Sequence, residues 1–169
     1  RRRIILLYWK KMNAEPLKTI PVALAKKYHL RKHLIRFLSF LGLLLTAYLI
    51  YQHYKPSGAA FCNISDYVSC DVVNKSRYSE IFGIPVAIGG FAAYAIFFFA
   101  SLRNFLQKYI LPLLIFAAIS LIFSLYLTYV EFFILRAVCI ICVTQQIIIF
   151  FIFLTFFIIW LRQKKLSKN

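Results

Sequence analysis

The residues best suited to chemistry are four cysteines, which fall into two pairs. Cys62 and Cys70 are eight positions apart, whereas Cys139 and Cys142 form Cys139-Ile140-Ile141-Cys142. Paired thiols exchange disulfides, staple a fold or hold zinc. An i, i+3 pair lies on one helical face and opens or closes with little backbone motion. It is a poor staple: closing so small a ring removes only about 2 kcal/mol of chain entropy, and a helix already restrains those residues. Near a helix N-terminus the thiolate is favoured, and Arg136, one turn earlier, would add to that effect. Cys62–Cys70, taken alone, suits a structural disulfide at least as well as exchange. Zinc has little support, because an oxidising outer loop and a pair bordering lipid suit it poorly, His29 and His33 precede the first span and His53 stands alone at its end; no metal is expected.

The elements that position these thiols are apolar. Of 169 residues, 62% are hydrophobic and 18% aromatic, above the roughly 45–50% apolar content of soluble domains. Windows of about 19 residues indicate four membrane spans, over 37–54, 82–102, 109–130 and 137–161. The fold class expected is an all-α integral membrane protein, a four-transmembrane-helix bundle with an extracytoplasmic loop carrying a cysteine pair. The domain layout is a basic cytoplasmic N-terminal segment (1–36), a membrane domain (37–161) and a basic tail (162–169). The lone methionine is Met12, so residues 1–11 read as a gene-model extension or as the end of a truncated one. Ser57-Gly58-Ala59-Ala60 resembles a signal-peptide cleavage site, but three further spans favour a retained anchor.

The net charge of +16 would suggest nucleic acid in a soluble protein. Here fifteen of the 21 Lys and Arg residues flank the apolar part, with no interleaved aromatics to read bases. That distribution indicates a lipid bilayer, with both termini cytoplasmic under the positive-inside rule, and no nucleic-acid partner. The loop before span two and the short connection before span four, which holds Glu131 and Arg136, then face outward. All four cysteines lie on that oxidising side.

The pattern Cys62-x7-Cys70-Asp71, then Ser76, then Ser79-Glu80-Ile81-Phe82-Gly83-Ile84-Pro85, then Cys139-x2-Cys142 resembles the vitamin K epoxide reductase family, most of all its bacterial and archaeal branch. The resemblance covers about residues 35–161. It implies that Cys62 meets a thioredoxin-fold partner, that Cys70 relays to Cys139, and that Cys142 faces a membrane quinone, ubiquinone or menaquinone, as electron acceptor. The partner is expected to be a separate thioredoxin-fold thiol oxidase. Ser76 matches the family's hydroxyl beside the quinone, and it equally suits a turn or cap. Ser79 stands where animal members carry Asn before the Ile-Phe-Gly run, and Gln146 where they carry Tyr. Both differences weigh against epoxide reduction.

Further residues follow from the helical period. Gln146 shares a face with Cys139 and Cys142 and needs a partner from a neighbouring helix or a ligand; bundle packing comes first and cavity lining second. Gln145 should point elsewhere. Gly83, Gly89 and Gly90 should allow close helix approach, and Pro85 suits the first turn of span two. The function expected is a membrane thiol-disulfide oxidoreductase on the catalytic residues Cys62, Cys70, Cys139 and Cys142, with Ser76, Ser79 and Gln146 as substrate contacts. The alternatives are a vitamin K quinone or epoxide reductase using the same cysteines, and a non-enzymatic stapled scaffold or transporter. Transport normally needs ionisable groups within spans, and none of the five acidic residues is placed mid-span.

Overall fold

The computed structural model describes residues 22–56, 60–65, 67–102 and 105–166. The expected N-terminal extension, most of the Ser57–Ala60 segment, Asp66, Arg103 and the end of the basic tail lie outside the described residues. The chain is helical: α1 (Val22–His53), the short α2 (Cys70–Asn74), α3 (Val86–Leu102), the short α4 (Phe105–Lys108), α5 (Ile110–Tyr129) and α6 (Ile140–Leu166). A π-helical turn, Val130–Leu135, extends α5.

Three helical stretches are long and apolar enough to cross a membrane: Tyr28–His53, Ile110–Leu135 and Ile140–Lys165. The fourth apolar helix, α3, has 17 residues, about 26 Å at 1.5 Å per residue, against a hydrocarbon thickness of about 30 Å. It starts later than the hydropathy window suggests. Glu80–Ile81 (β1) and Ile84–Pro85 (β2) pair as an antiparallel hairpin, Glu80 opposite Pro85 and Ile81 opposite Ile84. Pro85 therefore ends a strand instead of opening the helix. Its two-residue turn holds Phe82 at φ 53° and Gly83 at φ 76°, the double positive φ of a type I′ turn. Gly83 thus serves the turn and not helix packing.

The helices pack antiparallel, α1 on α3 and α6, and α5 on α6. Membrane helices associate through close packing more than through a hydrophobic drive, so small residues matter at contacts. Gly90 of α3 faces Thr46, where an added Cβ would sit 3.2 Å from the methyl group. Gly42 of α1 lies under the Tyr94 ring, which an added Cβ would meet at 2.5 Å. At one end of the bundle the Arg36 guanidinium donates to the Ser101 carbonyl (3.2 Å), so a cation caps the negative C-terminal end of α3. Phe97, fully buried, packs at a tilt against Phe116 and Phe156 and ties α3, α5 and α6 together. Outward, Leu111, Ile115, Ile119 and Ile122 remain exposed along α5. A stripe of that kind has no place in water and suits lipid.

Candidate functional site

The site forms at the end of the bundle opposite the Arg36 cap. Helix α1 ends at His53, whose Nδ1 meets the Asn74 carbonyl (2.7 Å) and whose Nε2 meets the Glu80 carboxylate (3.1 Å). One imidazole therefore joins α1, α2 and the hairpin. Asn74 in turn donates to the Leu49 carbonyl (2.8 Å). Between α1 and α2 the chain folds around Asn63, which donates to Asp71 (2.7 Å) and accepts from the Ser69 hydroxyl (3.0 Å) and the Asp71 N–H (3.2 Å). Ser69 caps α2, accepting from Val72 N–H (3.4 Å), the role that short hydroxyl side chains play at helix starts. Cys70 is the first residue of α2 and is disulfide-bonded to Cys62, with Cα atoms 5.7 Å apart.

The second pair is brought beside the first by backbone pairing. Val138 N–H donates to the Tyr67 carbonyl (2.8 Å), and Val68 and Val138 form a parallel bridge. The chain on either side of this bridge leads directly into Cys70 and Cys139. Cys62, Cys70, Cys139 and Cys142 consequently share one apolar cluster with Leu49, Ala60, Val73, Ala137 and Ile141.

Cys139 immediately precedes α6 and acts as its cap. Its carbonyl accepts the first intrahelical bond, from Val143 N–H (3.0 Å), and its sulfur accepts from Cys142 N–H (3.4 Å). Both cysteines of this pair are free. The Cys142 thiol donates to the Cys139 sulfur, and this bond outweighs burial and holds the Cys139 thiol below its ordinary range. The helix N-terminus acts in the same direction.

The charge beside the pair is not the one expected. Arg136 is exposed, in a left-handed conformation (φ 49°) that ends the π-helical turn. Glu131, from the second position of that turn, is 3% exposed. Its carboxylate accepts from Cys139 N–H (3.2 Å) and contacts the Cys142 thiol. Sequence reasoning placed Glu131 in an outward connection. The signal that identifies it is its position eight residues before Cys139, once the helix is known to continue to Leu135.

A cavity of about 570 Å³ opens beside the helix pair, lined mainly by apolar side chains of α3 and α5. Of the four cysteines only Cys142 lines it. Cys62 and Cys70 are 2% exposed, and Cys139 is fully buried. Ser76 and Ser79 both line the cavity. Each spends its proton on backbone: Ser76 donates to Val73 O (2.8 Å), and Ser79 to Asn74 O and Ser76 O (2.7 Å each). A hydroxyl has one donor and two acceptor positions, so as placed they offer the cavity acceptors.

Gln146 packs on a neighbouring helix, the first of its two readings, accepting from Ser124 and from Thr128 (3.2 Å) of α5. Gln145, expected to point elsewhere, lines the cavity. Relative to Cys142, at roughly 100° per residue, Gln145 and Gln146 lie about 60° and 40° to opposite sides. Both flank the cysteine face, and the position of α5 decides which is covered. The Tyr94 hydroxyl donates to the Gln145 carbonyl (3.1 Å), fixing this turn of α6 against α3.

Residues 33–157, from α1 well into α6, match the model of the vitamin K epoxide reductase family. The chain belongs to that family. Members of the vitamin K epoxide reductase family are membrane oxidoreductases that work with thiols and quinones, and the geometry in this member suits that chemistry. It holds one disulfide, one dithiol and an apolar cavity reached by a single sulfur.

Proposed function

We propose that this protein oxidises the dithiol of a separate thioredoxin-fold partner on the extracytoplasmic face and passes the electrons through two cysteine pairs to a membrane quinone, so supporting disulfide formation in exported proteins. The observation that carries the reading is the convergence of both pairs in one cluster, with Cys142 alone on the cavity wall. Two unrelated staples have no reason to be adjacent, and a staple has no reason to face an apolar cavity.

The cavity fits a quinone by size and by chemistry. Its volume lies within the roughly 300–1,000 Å³ of small-molecule sites, and its lining is predominantly apolar, as a prenylated ring requires. Gln145 lines the cavity with an amide-bearing side chain. Ser76 and Ser79 present acceptors, and either becomes a donor to a ring carbonyl by rotating about its Cβ–O bond. The quinone, when bound, accepts two electrons and two protons.

The residues divide the remaining work. A partner thiolate attacks Cys62, the partner closes its own disulfide, and Cys62 and Cys70 are left as thiols. Cys70 then attacks Cys139 of the oxidised helix pair. Closure of Cys62–Cys70 returns both electrons to the thiols of Cys139 and Cys142. That transfer takes place out of water, which protects it from stray thiols. The first step needs access, and both sulfurs of the loop pair are buried. The segment around Asn63 must therefore lift locally, a motion that costs less than global unfolding.

Quinone reduction by purified protein with a reduced thioredoxin-fold substrate tests the reading, with Cys139→Ala and Cys142→Ala alongside. Turnover in the wild type that disappears in both variants is the expected result. No turnover with ubiquinone, menaquinone or vitamin K epoxide would return the cysteines to the role of staples.

A further inference from the structure

We propose that Glu131 is a catalytic proton carrier for the helix pair: its carboxylate takes the proton of the Cys142 thiol during oxidation and hands it on to the acceptor in the cavity. The proposal rests on the thiol-to-quinone reading above and adds a residue to it. Glu131 is buried within the apolar end of the bundle, lines the cavity, accepts the Cys139 N–H and contacts the Cys142 thiol. It thus touches a reacting sulfur and the space where the acceptor would lie.

A structural cap does not explain the choice of residue. Accepting one N–H requires an oxygen, which Gln, Asn or Ser supplies without an ionisable group. An acidic side chain inside a membrane protein is expensive and usually functional, and a buried carboxylate normally has a cation beside it. Among the described residues no Lys, Arg or His pairs with Glu131, and Arg136 is exposed. The titratable groups against it are Cys139 and Cys142, while Tyr78 and Tyr94 line the same cavity. The local backbone is also specialised: Glu131 sits in a π-helical turn, a distortion often found at functional sites.

The step balances. As Cys139 and Cys142 form their S–S bond, two thiol protons and two electrons leave them, and the quinone receives both of each. Glu131 carries the Cys142 proton across and is a carboxylate again at the end. The Cys139 proton follows by the same route.

Two measurements test this on the full-length protein in detergent. The first needs no quinone: the rate of Cys142 alkylation by iodoacetamide is followed against pH in protein carrying Cys139→Ser, which removes the other thiol coupled to Cys142, with Glu131 intact and with Glu131→Gln or Glu131→Asp. Sharing of a proton between Cys142 and Glu131 gives a profile with two steps. Glu131→Gln, which keeps the oxygen that accepts Cys139 N–H, should collapse it to one, and Glu131→Asp should keep two. The second is quinone reduction, which should fall about 100-fold or more in Glu131→Gln, the range of a lost general acid–base group, with the quinone KM little changed. Glu131→Asp should recover part of that loss. A Glu131→Gln variant with wild-type turnover, or with an unchanged two-step profile, would overturn the proposal and leave Glu131 a cap. If Glu131→Gln does not fold, a one-step profile both with Glu131 intact and with Glu131→Asp overturns it equally. Two steps with Glu131 intact, together with a wild type that reduces no quinone, would instead sink the electron-transfer reading and leave the Glu131–Cys142 proton exchange standing.

Discussion

The four cysteines differ in access more than in chemistry. Cys142 meets the cavity, Cys139 is a buried cap, and the loop pair is closed behind Asn63. Cys142→Ala should therefore abolish quinone reduction, whereas Cys62→Ala should block oxidation of a protein partner more than turnover with a small dithiol. Equal loss of both activities in Cys62→Ala would contradict the relay order. The bond from Cys142 to the Cys139 sulfur makes a second prediction. Cys142→Ser retains a hydroxyl donor and Cys142→Ala does not, so the Cys139 thiolate, read by its ultraviolet absorbance, should form at a lower pH in the serine variant. Coincident midpoints would mean that the helix end alone sets Cys139. Asn63→Ala removes three hydrogen bonds that close the loop. Reduction of Cys62–Cys70 by external dithiol should then accelerate, by about tenfold for each 1.4 kcal/mol lost; an unchanged rate would show that opening does not pass through Asn63.

The elements hold the site by a few close contacts. Gly42 allows α1 to approach α3 beneath Tyr94, and Tyr94 both lines the cavity and holds the Gln145 turn. A methyl group at position 42 must displace that ring. Gly42→Ala should lower thermal stability in detergent by about 1–3 kcal/mol, as overpacking does, and should raise the KM for quinone. Combination with Tyr94→Leu should restore part of the stability, since residues in contact do not add independently; strict additivity would refute the clash. Hydropathy located the four apolar helices well, because burial in lipid demands long apolar runs whatever the packing. It misplaced their ends. Residues 82–85 are as apolar as the helix they precede, yet a type I′ turn holds them in a hairpin. Likewise Val130–Leu135 continues α5 because a π-helical turn absorbs what looked like a connection.

For the whole molecule, charge and redox chemistry should agree on orientation. Basic residues flank the apolar helices, and Lys108 and Lys164 lie over Tyr109 and Trp160 at helix ends, the pairing of cation and aromatic ring common at membrane interfaces. The proposed orientation puts that end in the cytoplasm and the cysteine end on the oxidising side. A fluorescent reporter fused to the C-terminus should be active in the cytoplasm, and a membrane-impermeant reagent added outside should reach an exposed probe cysteine placed at Ile64. The opposite labelling would invert the proposed electron path.

Much of this was legible in the residues themselves. Apolar runs, basic flanks and cysteine spacing each reflect a local requirement, lipid, membrane potential or thiol chemistry, that does not depend on how helices meet. The family kinship follows from the same local patterns. What needed the folded chain was every relation between distant segments. The parallel bridge at Val68 and Val138 sets the two pairs side by side, the covering of one flank of α6 by α5 places Gln145 and not Gln146 in the cavity, and the π-helical turn sends Glu131 inward while Arg136 faces out. Periodicity gives an angle around one helix, but only a neighbouring helix decides whether that angle faces lipid, protein or a ligand.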